Sequence, residues 1–454
     1  MKTYSITFIA LFMSLFGFGQ AVVGDWSGKL TYAGTSVNVN FKVYQTEKGL
    51  ASMFSVPLQG LSDFKSTSTT YKDSLFFVDL KPLGIQYRGR LAGNDTILGN
   101  FNQNGLSIEL TLSRTDLTKN RPQEPRPPFN YYVEEVVFRN KKDSINLAGT
   151  LTLPKKEGQY PLVILISGSG PQDRNSFILG HKPFLLLAHE LTQSGIGVLR
   201  FDERGIGESE GKFQDAELDD FVNDVASAFD FLKARQDVDS KKIGLLGHSM
   251  GGIIAPRVAI KKDISFLVLL AAPGIDGDKM MLQQRADLLK LRGLSDAQIE
   301  QSNEIFEKTY EFIRKTNSGG DQFKNELSQF LTDNYSDMIM EKQLSMMVEQ
   351  ISSKEILGLL RNRPSTYLSM VQCPVLAIGG SKDVQVSSEE NLAAIEAEIK
   401  KGGNAKVEIK EFENLNHLFQ ESETGDSTEY ELIEQTISPK VLNYIKEWLN
   451  KTLE

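Results

Sequence analysis

The fold is decided by residues 241–255, which read KKIGLLGHSMGGIIA. An apolar run typical of a buried strand leads into a Gly-His-Ser-Met-Gly pentapeptide and then into a helical pattern. Glycines stand two residues before and two residues after Ser249, where side chains would collide in a tight turn. Such a turn lifts the hydroxyl above the sheet edge and aims backbone amides at it. The stretch therefore predicts that Ser249 is a nucleophile.

Similar strand-like runs alternate with helical patterns along the second part of the chain. They lie at residues 162–167, 197–201, 243–247, 266–271, 375–379 and 406–412. This alternation predicts an α/β fold with a mainly parallel sheet that is covered on both faces. The interval from 274 to 363 has amphipathic, Met-rich helical stretches and no convincing strand. We predict a helical cap at about residues 275–365, inserted between two strands and lying over their carboxyl ends.

Residues 22–115 have a different pattern, in which apolar and polar positions alternate in short runs between turn residues. A period of two predicts a small antiparallel β domain, either a meander or a barrel. Residues 116–129 then carry four prolines, which favour extended backbone and interrupt strand pairing. We interpret this segment as a linker, followed by the α/β domain at residues 130–454.

The first residues have the features of a signal peptide. Lys2 precedes a mostly apolar run at 6–19, which is short for a membrane span, and small residues follow at Gly19 and Ala21. We expect a signal peptide at residues 1–21, cleaved near residue 20 or 21, and export to the periplasm or the medium. No later stretch is long and apolar enough to predict a span in the mature protein.

Composition excludes several classes of function. The formal net charge of −9 argues against nucleic acid as a main partner, so a small molecule is the expected one. Cys373 is the single cysteine, which excludes an internal disulfide and a cysteine-rich metal site. With only four histidines, a histidine-built metal site is not expected either, and no cofactor is predicted.

A serine nucleophile needs a base, and the four histidines are the candidates. His417 follows the last predicted strand, so it lies on a loop at the carboxyl edge of the sheet. His248 is adjacent to Ser249, and neighbouring side chains at such a turn point apart, which favours a lining or packing role. His181 and His189 precede the serine, in or near a predicted helix. We therefore predict that His417 is the base.

The base needs a carboxylate that fixes its tautomer and stabilises the imidazolium. Asp383 ends a glycine turn after the strand at 375–379 and is the preferred candidate. Asp276 and Asp278, which follow the preceding strand, are the alternatives, and each of the three could instead begin a helix. The chain order Ser249, Asp383, His417 agrees with successive loops of one such sheet.

A glycine loop after the strand at 162–167 can supply donors for an oxyanion. The amide of Ser169 can join that of Met250 there. A dinucleotide-binding loop is not supported, because Pro171 follows where that motif needs a third glycine or a helix start. The expected substrate pocket contains His248, Gly170, Met280 and Met281. Flexible methionines suit an adaptable pocket, although they also serve as ordinary packing.

From about residue 130 to its end, the chain resembles the α/β-hydrolase superfamily, and in particular its bacterial esterase and serine-aminopeptidase-like branch. The matching motifs are Ser167-Gly168-Ser169-Gly170-Pro171, residues 201–209 (FDERGIGES), residues 247–252, Gly380-Ser381-Lys382-Asp383 and Asn416-His417. The resemblance implies a Ser249, Asp383, His417 triad, an oxyanion hole at Ser169 and Met250, and bracing roles for Asp202 and Arg204. Many relatives have His-Gly where this chain has Ser167-Gly168, which bears on substrate preference. The N-terminal β domain is similar to those that precede some exported esterases.

These patterns predict a serine hydrolase that cleaves carboxylic esters through an acyl-enzyme, without metal or cofactor. A serine aminopeptidase or amidase acting on small peptides is the first alternative, because the same groups serve both leaving groups. A catalytically silent hydrolase fold used for binding is the second.

Overall fold

The computed structural model describes residues 20–32, 35–46, 49–56, 61–103, 105–114 and 121–454. The chain divides into two compact units, Met1–Asn120 and Arg121–Glu454. The predicted signal peptide lies outside the described residues except for Gln20 and Ala21, and it stays a prediction.

The first unit is a curled antiparallel sheet, a half-barrel that confirms the predicted β domain. Its strands lie in the order β4-β3-β2-β1-β9-β8-β7-β6-β5. Their bounds are β1 Gly24–Tyr32, β2 Thr35–Thr46, β3 Gly49–Val56, β4 Leu61–Lys65, β5 Ser68–Lys72, β6 Leu75–Leu80, β7 Ile85–Ala92, β8 Thr96–Gln103 and β9 Leu106–Arg114. Alternation builds the core: Phe41 and Val43 are buried while Lys42 between them is exposed. Trp26 is fully buried, and its indole N–H donates to the Val22 carbonyl at 2.8 Å.

The second unit contains an eight-stranded sheet in the order β10-β11-β13-β12-β14-β15-β16-β17. The bounds are β10 Tyr132–Asn140, β11 Ile145–Leu153, β12 Tyr160–Ile166, β13 Gly197–Phe201, β14 Val238–His248, β15 Leu267–Leu270, β16 Val375–Gly380 and β17 Val407–Phe412. Strands β12 to β17 correspond to the six predicted runs and pair in parallel. Strands β10 and β11 form an antiparallel hairpin at the sheet edge that was not predicted from the sequence.

Helices cover both faces of this sheet, which establishes the α/β-hydrolase fold. Their bounds are α1 Pro183–Gln193, α2 Leu218–Lys233, α3 Gly251–Ala259, α4 Gly277–Leu291, α5 Asp296–Lys315, α6 Gly320–Tyr335, α7 Glu341–Ile351, α8 Lys354–Leu360, α9 Ser365–Leu368, α10 Ser388–Lys401 and α11 Pro439–Leu453. One core cluster joins α2, α3 and α10 to the sheet, and a second joins α1 and α11 to its other face. Helix α2 buries an apolar stripe whose members recur every three or four residues, including Phe221, Val225 and Phe229.

The cap comprises helices α4 to α8 and is inserted between β15 and β16, as expected. It has a hydrophobic cluster of its own around Phe323, Leu327 and Leu331, all fully buried. Met340 and Met346 are instead exposed, at 69 % and 63 %. Within the described ranges, no helix has the length and apolarity needed to cross a bilayer.

The predicted linker, residues 116–129, is described only from Arg121 onward, and that part belongs to the second unit. The Arg121 guanidinium is buried and donates to the carbonyls of Ile433 at 2.6 Å and Leu179 at 3.0 Å. The Gln123 side chain accepts from the Thr436 amide at 2.7 Å. Residues 121–123 are therefore hydrogen-bonded to the second unit at both Arg121 and Gln123.

Candidate active site

Ser249 lies at a sharp turn between β14 and α3. Its φ of +54° is in the left-handed region, which is uncommon for a residue with a side chain and costs free energy. Two hydrogen bonds hold it there: its N–H donates to the Leu270 carbonyl, and its carbonyl accepts from the Gly252 amide, both at 2.8 Å. The strained backbone therefore carries the hydroxyl at the carboxyl end of the central strand.

Glycine is required on both sides of this turn because backbone segments touch there. A Cβ at Gly251 would lie 2.2 Å from the Ile166 carbonyl oxygen, and one at Gly247 would lie 2.2 Å from the Gly251 oxygen. Both distances are far below van der Waals contact. The pentapeptide glycines thus serve the close approach that the sequence predicts.

His417 and Asp383 form a buried hydrogen-bonded pair. His417 Nδ1 lies 2.7 Å from Asp383 Oδ2, and the Asp383 side chain is 0 % exposed. Asp383 Oδ1 accepts from the amides of Gln385 at 2.8 Å and Val386 at 2.9 Å. The carboxylate is therefore fixed by its own loop, and the imidazole Nε2 is left for another partner.

The rival aspartates are engaged elsewhere. Asp276 stands at the N-cap position of α4. Asp278 is paired with Arg314 and Arg363, each at 3.3 Å. Of the three candidates, the structure brings only Asp383 to the imidazole.

A cavity of about 280 Å³ is lined by the predicted nucleophile, base and oxyanion-hole residues. Ser249, His417, Ser169 and Met250 all line it. Its other lining residues are Gly168, Gln172, Ser176, Ile178, His248, Pro273, Met280, Met281, Gln284, Glu355, Ile356, Leu359, Gln385, Val386, Leu418 and Tyr430.

The loop that follows β12, residues 167–172, is called the β12 loop below. It lies against the nucleophile, since a Cβ at Gly168 would be 3.2 Å from the Ser249 Cβ. In the described part of the chain, the amides of Ser169 and Met250 donate to no acceptor. Two free N–H groups at the same cavity suit an oxyanion.

His248 lies beside His417. Their ring centroids are 4.8 Å apart, and His248 Nε2 is 2.9 Å from the His417 carbonyl oxygen. Burial, and then the neighbouring His417, lowers the His248 pKa to about 4. The His248 ring is therefore neutral near pH 7, so its Nε2–H donates to the His417 carbonyl.

Three of the four predicted pocket residues line the cavity: His248, Met280 and Met281. The structure does not place Gly170 among the lining residues. Its amide is turned to the cap, where it donates to Glu355 Oε1 at 2.7 Å. The cap thus contacts the β12 loop through a carboxylate that the sequence analysis did not identify.

Other lining residues were also missed. Tyr430 is 1 % exposed, and its hydroxyl accepts from Gln385 Nε2 at 2.8 Å. Glu355 and Tyr430 lie in segments without a recognisable motif, so no local signal could have found them. Gln385 lies two residues after Asp383, and its proximity to that motif was the available signal.

The remaining histidines do not line the cavity. His181 is buried, and its Nδ1 is 2.9 Å from Thr436 Oγ1. His189 lies in α1, with its Nδ1 3.2 Å from the Tyr131 hydroxyl. Within the described ranges, no group of three or more His, Cys, Asp or Glu side chains is arranged to hold a metal ion.

Asp202 and Arg204, for which the resemblance implies bracing roles, are both buried in ion pairs. Asp202 Oδ2 is 2.6 Å from Arg174 Nη2, and Arg204 Nε is 2.6 Å from Asp224 Oδ2. These pairs join the segment after β13 to the β12–α1 connection and to α2.

The sheet, its inserted cap and the strand–turn–helix at Ser249 define an α/β-hydrolase. Residues 182–423 match the family described as serine aminopeptidase, S33, and the chain belongs to that family of serine hydrolases. Esterase EstD of Thermotoga maritima is 28 % identical over 323 residues, which cover 70 % of this chain and 69 % of the relative.

The chain is also similar to solved structures. The Pyrococcus furiosus esterase Pf2001 is 18 % identical, with a TM-score of 0.44 over 71 % of this chain and 93 % of that one. The hypothetical protein PA2218 from Pseudomonas aeruginosa is 20 % identical, with a TM-score of 0.45 over 74 % and 98 %.

Proposed function

We propose that this enzyme hydrolyses carboxylic esters through an acyl-enzyme on Ser249. The observation that carries the proposal is the buried His417–Asp383 pair, at 2.7 Å, whose imidazole lines the same cavity as the strained Ser249 turn. The similarity to an esterase over 70 % of the chain supports an ester as the substrate.

In this mechanism, Ser249 Oγ attacks the ester carbonyl and passes its proton to His417 Nε2. Asp383 accepts a hydrogen bond from His417 Nδ1–H and stabilises the imidazolium. The amides of Ser169 and Met250 donate to the oxyanion as the tetrahedral intermediate forms. Collapse of the intermediate releases the alcohol, which takes the proton from His417, and water then hydrolyses the acyl-enzyme by the same steps.

The test is turnover of p-nitrophenyl esters of graded chain length, together with labelling by a fluorophosphonate. We expect ester turnover and stoichiometric labelling, both abolished in Ser249→Ala. A folded wild-type protein that neither labels nor turns over any ester would contradict the proposal and favour the silent binding protein.

A second candidate is hydrolysis of aminoacyl amides or peptide N-termini. The family description favours it, and so does Glu355, a half-buried carboxylate on the cavity wall that could attract an ammonium group. Aminoacyl anilides compared with p-nitrophenyl esters separate the two activities. Turnover of the anilides alone would replace the ester proposal.

We also propose that the protein is exported and loses its first twenty or so residues. The basic start and the short apolar run support this proposal. Mass analysis of the protein expressed in a bacterial host should find a mature chain that begins near residue 21 in the periplasmic or extracellular fraction. An intact cytoplasmic chain would contradict it.

A further inference from the structure

A buried carboxylate that does not line the cavity is hydrogen-bonded to the β12 loop. Glu203 follows β13 by two residues and is 5 % exposed. Its Oε1 accepts from Ser167 Oγ at 2.7 Å, and its Oε2 accepts from the Gln172 amide at 3.0 Å. The Glu203 amide also donates to the Gln172 carbonyl at 3.2 Å. One side chain therefore bonds both the first and the last residue of the β12 loop.

The charges around Glu203 favour its neutral form. Glu355 of the cap and Asp224 of α2 are the charged groups that act on it most, and both are acidic. In the described part of the chain, no cation forms an ion pair with Glu203, and the arginine nearest in sequence, Arg204, is paired with Asp224. Burial, reinforced by these two carboxylates, raises the Glu203 pKa to about 8, while the Ser167 and Gln172 hydrogen bonds act in the opposite direction.

The loop that Glu203 holds is the one that faces the nucleophile. Gly168 is in close contact with Ser249, and the free amide of Ser169 is the next along the loop. Glu203 itself does not line the cavity, so it reaches neither substrate nor reacting atoms. Its influence on chemistry must pass through the loop and through its charge.

We propose that Glu203 is a positioning residue. As a neutral acid, Glu203 fixes the β12 loop so that the Ser169 amide points toward the oxyanion, and ionisation of Glu203 slows turnover. This inference rests on the proposed esterase function. A negative charge behind the loop opposes the developing oxyanion and weakens the stabilisation that its amides provide. A neutral acid donates from one oxygen, and Ser167 Oγ, which can accept as well as donate, is the partner 2.7 Å from Oε1, while Oε2 accepts from the Gln172 amide. Glutamine at 203 keeps one such donor and one such acceptor but cannot ionise, so it imitates the neutral acid.

The experiment measures kcat and KM between pH 6 and 10 for the wild type, Glu203→Gln and Glu203→Ala. We expect the wild-type kcat to fall about tenfold between pH 7 and pH 9.5, whereas Glu203→Gln stays level there and is within about threefold of the wild type at pH 7. Glu203→Ala should lose about 30-fold in kcat with little change in KM, because the loop loses its anchor. The matched control is Glu208→Gln, an exposed acid five residues away, which should keep the wild-type profile. An alkaline fall in Glu203→Gln equal to that of the wild type would overturn the proposal.

Thermal unfolding of the same variants separates this proposal from the esterase proposal. A folded pKa above the ordinary 4.5 means that the folded state holds a proton which the unfolded state releases. The associated stabilisation is complete below about pH 4.5 and is lost as the pH rises through about 8. The wild-type Tm should therefore fall more between pH 6 and 9 than that of Glu203→Gln. If the Tm values differ in this way but no ester is turned over, only the esterase proposal is contradicted. If esters are turned over normally but neither kcat nor Tm changes with substitution of Glu203, only the proposal for Glu203 is contradicted.

Discussion

The sheet edge and the helical cap form two walls of one cavity, but they are held in place by different means. At the sheet edge, Gly251 and Ile166 approach so closely that one added carbon would meet backbone at 2.2 Å. In the cap, Met280 and Met281 lie on α4, and the helices pack through side chains such as Phe323. Backbone contact leaves little freedom, whereas side-chain packing tolerates substitution.

The difference assigns separate tasks to the two walls. Ser249, Asp383 and His417 all belong to loops of the sheet edge, where position is set by backbone hydrogen bonds. The cap supplies flexible thioethers and one carboxylate. We expect changes at the sheet edge to act on kcat and changes in the cap to act mainly on substrate preference. The predictions below test this division.

The largest effect is expected from Asp383→Asn. Asparagine keeps the shape but favours the wrong tautomer of His417 and no longer stabilises the imidazolium, so kcat should fall about 10⁴-fold with KM little changed. The measurement is steady-state turnover of a short-chain p-nitrophenyl ester. Asp276→Asn is the control, since that residue lies at the start of α4, and it should keep turnover within about threefold. Equal losses in the two variants would break the proposed assignment.

These assignments could be made from the sequence wherever the chemistry depends on local backbone. The turn at Ser249 needs glycine at fixed offsets, and Asp383 and His417 follow strands whose carboxyl ends meet at one edge. Glu355 could not be found this way, because it reaches Gly170 across 185 residues through the packing of the cap. Glu203 lies inside a recognised motif, but its burial depends on tertiary contacts.

The edge hairpin of β10 and β11 was not predicted from the sequence for a different reason. In β10, Val136 and Phe138 are buried and alternate with exposed residues, so a period-two signal was present in the sequence. The expected sheet was built only from runs that begin at residue 162 or later, so no strand was assigned to residues 132–153. Mixed sheets with such an edge are common, and the prediction needed that possibility.

The second effect concerns the backbone contact itself. Gly251→Ala should lower the free energy of unfolding by about 3 kcal/mol, because the new Cβ meets the Ile166 carbonyl oxygen and the backbone must shift. Because Gly251 begins α3 directly after Ser249 and Met250, kcat should fall as well. Chemical denaturation and turnover give the two values.

Gly319→Ala in the cap is the matched control, since a Cβ there meets nothing within 4 Å. Its stability should change by less than about 1 kcal/mol. A cap glycine as sensitive as Gly251 would remove the contrast between the two walls.

Met280→Ala should have a smaller and more selective effect. Met280 is 5 % exposed and lines the cavity. Truncation to alanine therefore widens the cavity and removes the contacts that the Met280 side chain would make with a long acyl chain. We expect kcat/KM to fall about tenfold for the best long-chain ester and less than threefold for the acetyl ester. Met346→Ala, at an exposed position of the same cap, should leave both unchanged. An equal loss of kcat/KM for esters of all chain lengths would show that Met280 acts in catalysis and not in substrate preference.

The smallest effect is expected from Tyr430→Phe, which tests where the boundary between the two walls lies. The Tyr430 hydroxyl accepts a hydrogen bond from the side-chain amide of Gln385, and the backbone amide of Gln385 donates to the Asp383 carboxylate. Removing the hydroxyl leaves the Gln385 side chain without this partner, which costs about 1 kcal/mol, or about fivefold in rate. Because the contact leads toward Asp383, the loss should fall on kcat and be equal for short and long esters. A loss confined to KM for long esters would instead place Tyr430 with the cap residues, as part of the substrate pocket.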